Sequence, residues 1–293
     1  MTFNFNRHML AISPLFLLAL PGGCGGTADP AVVTPAPGYY QPLNGTSAQP
    51  NNLGGVGIRT NDDNGNIEVS SATGAVEHST GSLNYNDGTY NLVDPDGISG
   101  GIASDGSGGT LSEATGLYAG TYEYVMPVTF SYMDSGIAYT TQGFAGIATE
   151  ARHIPISGST TYNGEATGNI VTTSGFYDLA SGVSTISVDF GAGTADVTLN
   201  GFTATDALGG DTTAPLDTVL ITAMSINGNA FSGGALATML SSSVVNLTGS
   251  NTTISSEGQF FGWDEIATIP DEVAGVSVAV GDDGIMLFSF IAD

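Results

Sequence analysis

Apolar and polar residues alternate along most of this chain, with a period of two. In Val128-Thr129-Phe130-Ser131-Tyr132 every second side chain is apolar, the signature of a half-buried strand. Residues 161–168 set Tyr162, Gly164, Ala166 and Gly168 against Thr161, Asn163, Glu165 and Thr167. Glycine at alternate positions predicts a strand that bends sharply, as at a barrel corner. The alternating runs 184–190 and 195–200 flank Gly191-Ala192-Gly193-Thr194 and predict a hairpin. Residues 217–226 predict a further strand, and residues 233–240 one short helical turn. Residues 255–262, 272–278 and 284–290 predict three successive strands, the last strongly apolar. Such a strand needs a partner edge, and closing the sheet into a barrel provides one.

Upstream, residues 56–125 are dense in turn formers. Asn86-Asp87-Gly88 separates two strand-like runs as a hairpin would, and residues 61–66 lead into Ile67-Glu68-Val69. Gly120 precedes another strand candidate, Thr121 to Val125. With 43 glycines and a hydrophobic fraction of 41%, the chain reads as all-β with a real core. The expected layout is a C-terminal antiparallel β-barrel of about eight strands over residues 136–293. A small, turn-rich β region over residues 56–135 precedes it.

The N-terminus changes the picture from fold to location. Arg7 and His8 precede the apolar runs 9–12 and 15–20, and Gly22-Gly23-Cys24 follows. A positive start, a short apolar centre and small residues predict a secretory signal over residues 1–23. The apolar run is too short to predict a membrane span. Cysteine after two glycines resembles a bacterial lipoprotein signal, in which the Cys24 thiol would carry the lipid; Pro21 stands where leucine is usual. Gly25, rather than aspartate, follows the cysteine and favours the outer membrane. Residues 24–55 are rich in proline, glycine and small polar residues, so they predict a flexible tether of roughly 30 Å average span. Contact with a membrane is thus expected through the lipid alone, with the body displayed at the cell surface.

Charge narrows the partners. Against 28 acidic residues stand three arginines and no lysine, a net charge of −25. A field of this sign repels phosphate backbones and excludes nucleic acid as a partner. A single cysteine excludes an intrachain disulfide and any cysteine-built zinc site. Asp62, Asn64 and Gly65 can be aligned with a calcium loop, but Thr60 and Ser71 then fall where carboxylates are needed. Turn chemistry accounts for these residues, and no metal site is expected.

Little in the sequence suggests catalysis. Past the signal there are two histidines, His78 and His153, and no Gly-x-Ser-x-Gly nucleophile elbow. Arg152-His153 is a basic spot in an acidic surface. It reads either as a salt-bridged loop or as a ligand contact, such as histidine to haem iron with arginine on a propionate. Trp263, beside Phe260 and Phe261, reads either as an exposed anchor for a protein partner or as a cap on the barrel interior. Tyr39 and Tyr40 fall in the tether and are expected in solvent.

Several stretches together resemble the β-barrel domain of the transferrin-binding protein B family, Gram-negative surface lipoproteins that include the factor H binding proteins. They are Gly146-Ile147-Ala148-Thr149, residues 154–168 (Ile-Pro-Ile-Ser-Gly-Ser-Thr-Thr-Tyr-Asn-Gly-Glu-Ala-Thr-Gly) and Val188-Asp189-Phe190-Gly191-Ala192-Gly193-Thr194. Gly258-Gln259-Phe260-Phe261-Gly262 and Glu272-Val273-Ala274-Gly275-Val276 complete the set. The resemblance covers residues 140–293 and implies a non-catalytic, outer-membrane-anchored binding protein for a protein or a haem- or iron-type ligand. Residues 263–271 lengthen a link that is usually shorter in the family, and the chain has room for one lobe where the full receptors carry two. The alternative is a structural envelope lipoprotein with no specific small ligand.

Overall fold

The computed structural model describes Tyr40 and residues 51–293, apart from 62–66, 78–79, 86–87, 93–101, 105–109, 114–121, 135, 173–174, 208–212, 217, 238–251 and 283. The expected signal, Cys24, Tyr39, His78 and the Asp62-Asn64-Gly65 turn lie outside the described residues. Among the described residues the only helical element is a single 3-10 turn, and every other named element is a strand.

Two closed antiparallel sheets make up the structure. The first runs β1 (Asn51–Asn61), β2 (Ile67–Glu77), β3 (Thr80–Tyr85), β4 (Gly88–Leu92), β5 (Ile102–Ser104), β6 (Thr110–Glu113), β7 (Val125–Asp134) and β8 (Ile137–Ile147). Each strand pairs with the next, and β8 returns to β1. The strand at 137–147, assigned from sequence to the C-terminal domain, therefore belongs to this first sheet. The sheet also starts earlier than expected, because β1 takes up the last residues of the presumed tether.

The second sheet holds the expected C-terminal barrel. Its strands are β9 (Ser159–Thr172), β10 (Phe176–Asp189), β11 (Thr194–Asn200), β14 (Val219–Asn227), β15 (Ala230–Leu236), β16 (Thr253–Phe261), β17 (Glu272–Gly281) and β18 (Gly284–Ala292). β18 pairs with β9, and β10 pairs with β11, which closes the ring. A small hairpin, β12 (Thr203–Asp206) and β13 (Thr213–Pro215), continues the sheet beyond the ring. A register shift between Leu179 and Gly182 divides β10, so its first part pairs with β12 and its second with β11. Residues 233–236 of the helical turn expected at 233–240 are instead the end of β15, paired with β14 up to Leu236, and residues 238–240 lie outside the described residues.

The barrel interior is a packed core. Inward alternation on β11 buries Ala195, Val197 and Leu199. Phe260 lies 5.3 Å from Phe231 and 5.9 Å from Phe190 between ring centroids, and Phe202 lies 5.7 Å from Phe288. Glycines on neighbouring strands make room for these rings. A Cβ on Gly258 would stand 2.1 Å from the Phe231 ring, and one on Gly275 would stand 2.4 Å from the Phe290 ring. Small and large residues thus interlock across the wall, as a side-chain-filled barrel requires.

β17 is buried along nearly its whole length on both faces. Val273 and Ala279 point into the barrel core, whereas Ala274, Val276 and Val278 pack against Val56, Ile58 and Phe144 of the first sheet. Phe261 and Ile291 join this second cluster. A strand covered on two sides explains why Val273 to Val280 reads as a continuous apolar run.

Substituting Gly258→Ala is expected to lower unfolding free energy by about 1–3 kcal/mol through overpacking against Phe231. Urea denaturation of the two chains measures the difference, and an unchanged midpoint would contradict the packing.

Candidate functional site

The chain passes from the first sheet to the barrel through residues 148–158, and this passage is tied to the end of β16. Ala148 forms a bridge with Phe261. The Thr149 N–H donates to the Phe260 carbonyl at 2.9 Å, and its hydroxyl donates to the Gly262 carbonyl at 2.8 Å. The Gly262 N–H in turn donates to the Ile147 carbonyl at 2.9 Å. Polar contacts therefore fix the strand-to-strand crossing just where the backbone leaves both sheets.

The 3-10 turn Ala151–His153 follows. Tyr40 closes over it: its oxygen accepts the Glu150 N–H at 2.7 Å and its hydroxyl lies 2.8 Å from His153 Nδ1. With the hydroxyl donating, Nδ1 is the unprotonated nitrogen and the imidazole is neutral. Burial pushes the His153 pKa down, and nearby Arg152 adds to this, against the opposing pull of Glu150. Burial also pushes the Tyr40 phenol up to about 12. Tyr40 is thus a packed, hydrogen-bonded residue and not the solvated tether residue expected from sequence.

Of the three residues singled out as ligand contacts, two meet. The His153 and Trp263 ring centroids are 5.5 Å apart, and the residues are 3% and 4% exposed. Trp263 is therefore not an exposed anchor. Arg152 points away into solvent, its side chain 63% exposed and ion-paired with Glu150. A haem would need an accessible imidazole, but this one is enclosed by Tyr40 and Trp263, so the residues present do not fit that group. Beyond Trp263, Asp264 shapes the lengthened loop, its Oδ1 accepting the N–H groups of Ile266 and Ala267 at 2.7 and 3.0 Å. The Tyr162 hydroxyl donates to the Pro270 carbonyl at 2.9 Å and fastens the loop to β9.

Sequence reasoning missed Glu272, the first residue of β17. Its side chain reaches across to the entry of β7 and accepts three backbone N–H groups. Glu123 donates to Oε1 at 2.6 Å, and Tyr124 and Val125 donate to Oε2 at 3.0 Å each. The residue is 2% exposed. Burial pushes its pKa up to about 7 and neighbouring Asp271 adds to the rise, while the three N–H donors pull the other way. Three amides converging on one carboxylate make a strong, oriented contact. The sequence signal was a carboxylate opening an otherwise apolar strand, within the stretch already quoted for its family resemblance.

Two cavities flank the seam between the sheets. The larger, of about 420 Å³, is lined by Ile58, Thr60, Thr140 and Gln142 on one side and by Asn169 and Asp178 among others on the barrel side. Asn169 donates to Asp178 there at 2.8 Å. The smaller, of about 320 Å³, lies between β1 and the β14–β15 turn. Among the described residues no group of histidine, cysteine and carboxylate side chains is arranged to hold a metal.

No family model and no curated relative matches the sequence. Solved structures do overlap it. A variant of transferrin binding protein B from Haemophilus parasuis Hp5 covers 80% of this chain at 13% identity and a TM-score of 0.43. The isotype 1 protein of that name from serogroup B Neisseria meningitidis covers 77% at 14% identity and a TM-score of 0.39. The N-lobe domain of lactoferrin binding protein B from Moraxella bovis covers 83% at 12% identity and a TM-score of 0.34. This chain spans 45% and 52% of the first two structures and 98% of the third. All three TM-scores lie at 0.43 or below, and no residue's role in this chain rests on these overlaps.

Two predictions follow from the seam and the turn. Glu272 has a folded pKa above its unfolded value. The part of its stability linked to the bound proton is therefore fully present below the unfolded value and is lost as pH rises through about 7. Urea midpoints should fall between pH 5 and pH 8, and the fall should be smaller in Glu272→Gln, which has no carboxyl to titrate. Trp263→Ala should destabilise by about 3–5 kcal/mol, while Arg152→Ala should stay within about 0.5 kcal/mol. Thermal and urea unfolding of the two variants distinguishes a packed tryptophan from an exposed one.

Proposed function

We propose that this chain is a non-catalytic binding protein displayed at the surface of the outer membrane and anchored through a lipid on Cys24. The observation that carries the reading is that the barrel is filled. Its interior holds Phe190, Phe202, Phe231, Phe260, Phe288 and Phe290 around interlocking glycines, so recognition falls to outward faces and loops. A closed, side-chain-packed barrel is a rigid support for such loops. Several solved structures that overlap the chain are named for binding transferrin or lactoferrin, or as a surface lipoprotein, and a protein partner is the reading those names favour. The strongly negative charge of the chain favours a partner with a basic contact surface.

Protease treatment of intact cells tests display. The body of the wild-type chain should be removed from intact cells, and Cys24→Ser should release it from the membrane fraction. Full protection of the wild-type chain, or membrane retention of the Cys24→Ser variant, would contradict the proposal.

A further inference from the structure

The smaller cavity at the seam carries a carboxylate that the other described residues do not satisfy. It measures about 320 Å³, and its lining includes Val56 on the first sheet and Asn227, Asn229, Ser232 and Glu257 on the barrel. On the outer face of β16, Phe261 packs into the apolar seam, and the Gln259 amide lies over Gly54, where an added Cβ would stand 2.6 Å away. Glu257, two residues earlier on the same face, stands at the cavity. Ser232 lies directly opposite it across the β15–β16 pair.

Glu257 is half-buried, and burial alone pushes its carboxyl upward. No hydrogen bond or ion pair to it is present among the described residues. The nearby amides of Asn227 and Asn229 line the same cavity without bonding it. A carboxylate withdrawn from water and left uncompensated is unfavourable. The chain has few means of compensating it, because it has no lysine and only three arginines. Arg59 lies over the Tyr139 ring at 5.0 Å, and Arg152 pairs with Glu150.

We propose that this cavity receives one cationic group, an alkylammonium or guanidinium, with Glu257 as its counter-ion and Asn227, Asn229 and Ser232 as neutral acceptors around it. The volume is at the small end for ligand pockets and suits a single side chain or small amine. The carboxylate gains the opposite charge it lacks, and its burial strengthens that attraction over an exposed pair. The group could be a free amine or the lysine or arginine side chain of a protein. Either source uses the same carboxylate, and the site stands independently of surface display.

The full chain, labelled for amide NMR at pH 8 and 0.15 M salt, is titrated with Nα-acetyl-lysine methylamide, its arginine counterpart and n-butylammonium. The neutral norleucine derivative serves as control. Saturable shifts at the amides of Asn229, Ser232 and Glu257 are expected with the cations and none with norleucine. Butylammonium binding as tightly as the lysine derivative assigns the site to free amines; weaker butylammonium binding assigns it to a protein-borne side chain. Glu257→Gln should weaken cation binding at least tenfold without lowering the unfolding midpoint. Ser232→Lys, which places an ammonium opposite Glu257, should raise the midpoint and block the probes. Absence of saturable shifts in the wild-type chain, or equal binding by Glu257→Gln, would overturn the proposal. Either result would leave protease accessibility on cells unaffected.

Discussion

The contact on which the arrangement depends is the Glu272 carboxylate and the three N–H groups it accepts from Glu123, Tyr124 and Val125. Those amides stand where the chain enters β7, the Val125 donor buried and the other two part-buried, and a donor withdrawn from water needs a partner. Glu272 opens β17 of the other sheet. One side chain therefore satisfies the backbone of the first sheet from the wall of the second. The apolar cluster of Val56, Phe144, Val276 and Ile291 supplies area beside it, but apolar area has no direction. The carboxylate fixes the register between the sheets, at the expense of a charge drawn into a poorly solvated seam among other acids. Asp271, next in the chain, is itself pushed upward by burial and by Asp264, Glu123 and Asp293.

A consequence for function is the division between inside and outside. The barrel core is filled by aromatic rings seated on glycines, and the seam is filled by apolar contacts at its centre, Phe144 and Phe261 among them. Open space is left at the margins of the seam, in two cavities whose walls carry threonine, asparagine, glutamine, aspartate and glutamate side chains. Trp263 and His153, for which the sequence left both a ligand contact and a packing role open, lie buried against each other beside the crossing from one sheet to the other. Their burial beside Tyr40 ties that residue to the crossing through its hydroxyl and ring.

Much of the barrel was legible from the chain because its strands alternate. The hairpin of β10 and β11, with Asp189 opposite Thr194, follows from two clean period-two runs around a glycine-rich turn. The last three strands follow from their spacing and their apolar character. Less could be read of the first sheet, whose middle strands β3 to β6 are short and separated by turn formers, so that its closure through β8 was hidden. The expected boundary at 135 cuts β8 off from the sheet it closes, because pairing partners are not written in a strand's own residues. Glu272 was hidden for a related reason: a carboxylate that caps backbone from another sheet has no local pattern. Tyr40 was misread because its partner lies more than a hundred residues away.

The most direct measurement of this account is native-state hydrogen exchange at the amides of Glu123, Tyr124 and Val125. If Glu272 holds the two sheets as one support, these amides exchange as slowly as the central amides of β17. In Glu272→Ala they exchange much faster while β17 keeps its protection. Rapid exchange of the three amides in the wild-type chain, with β17 still protected, would contradict it.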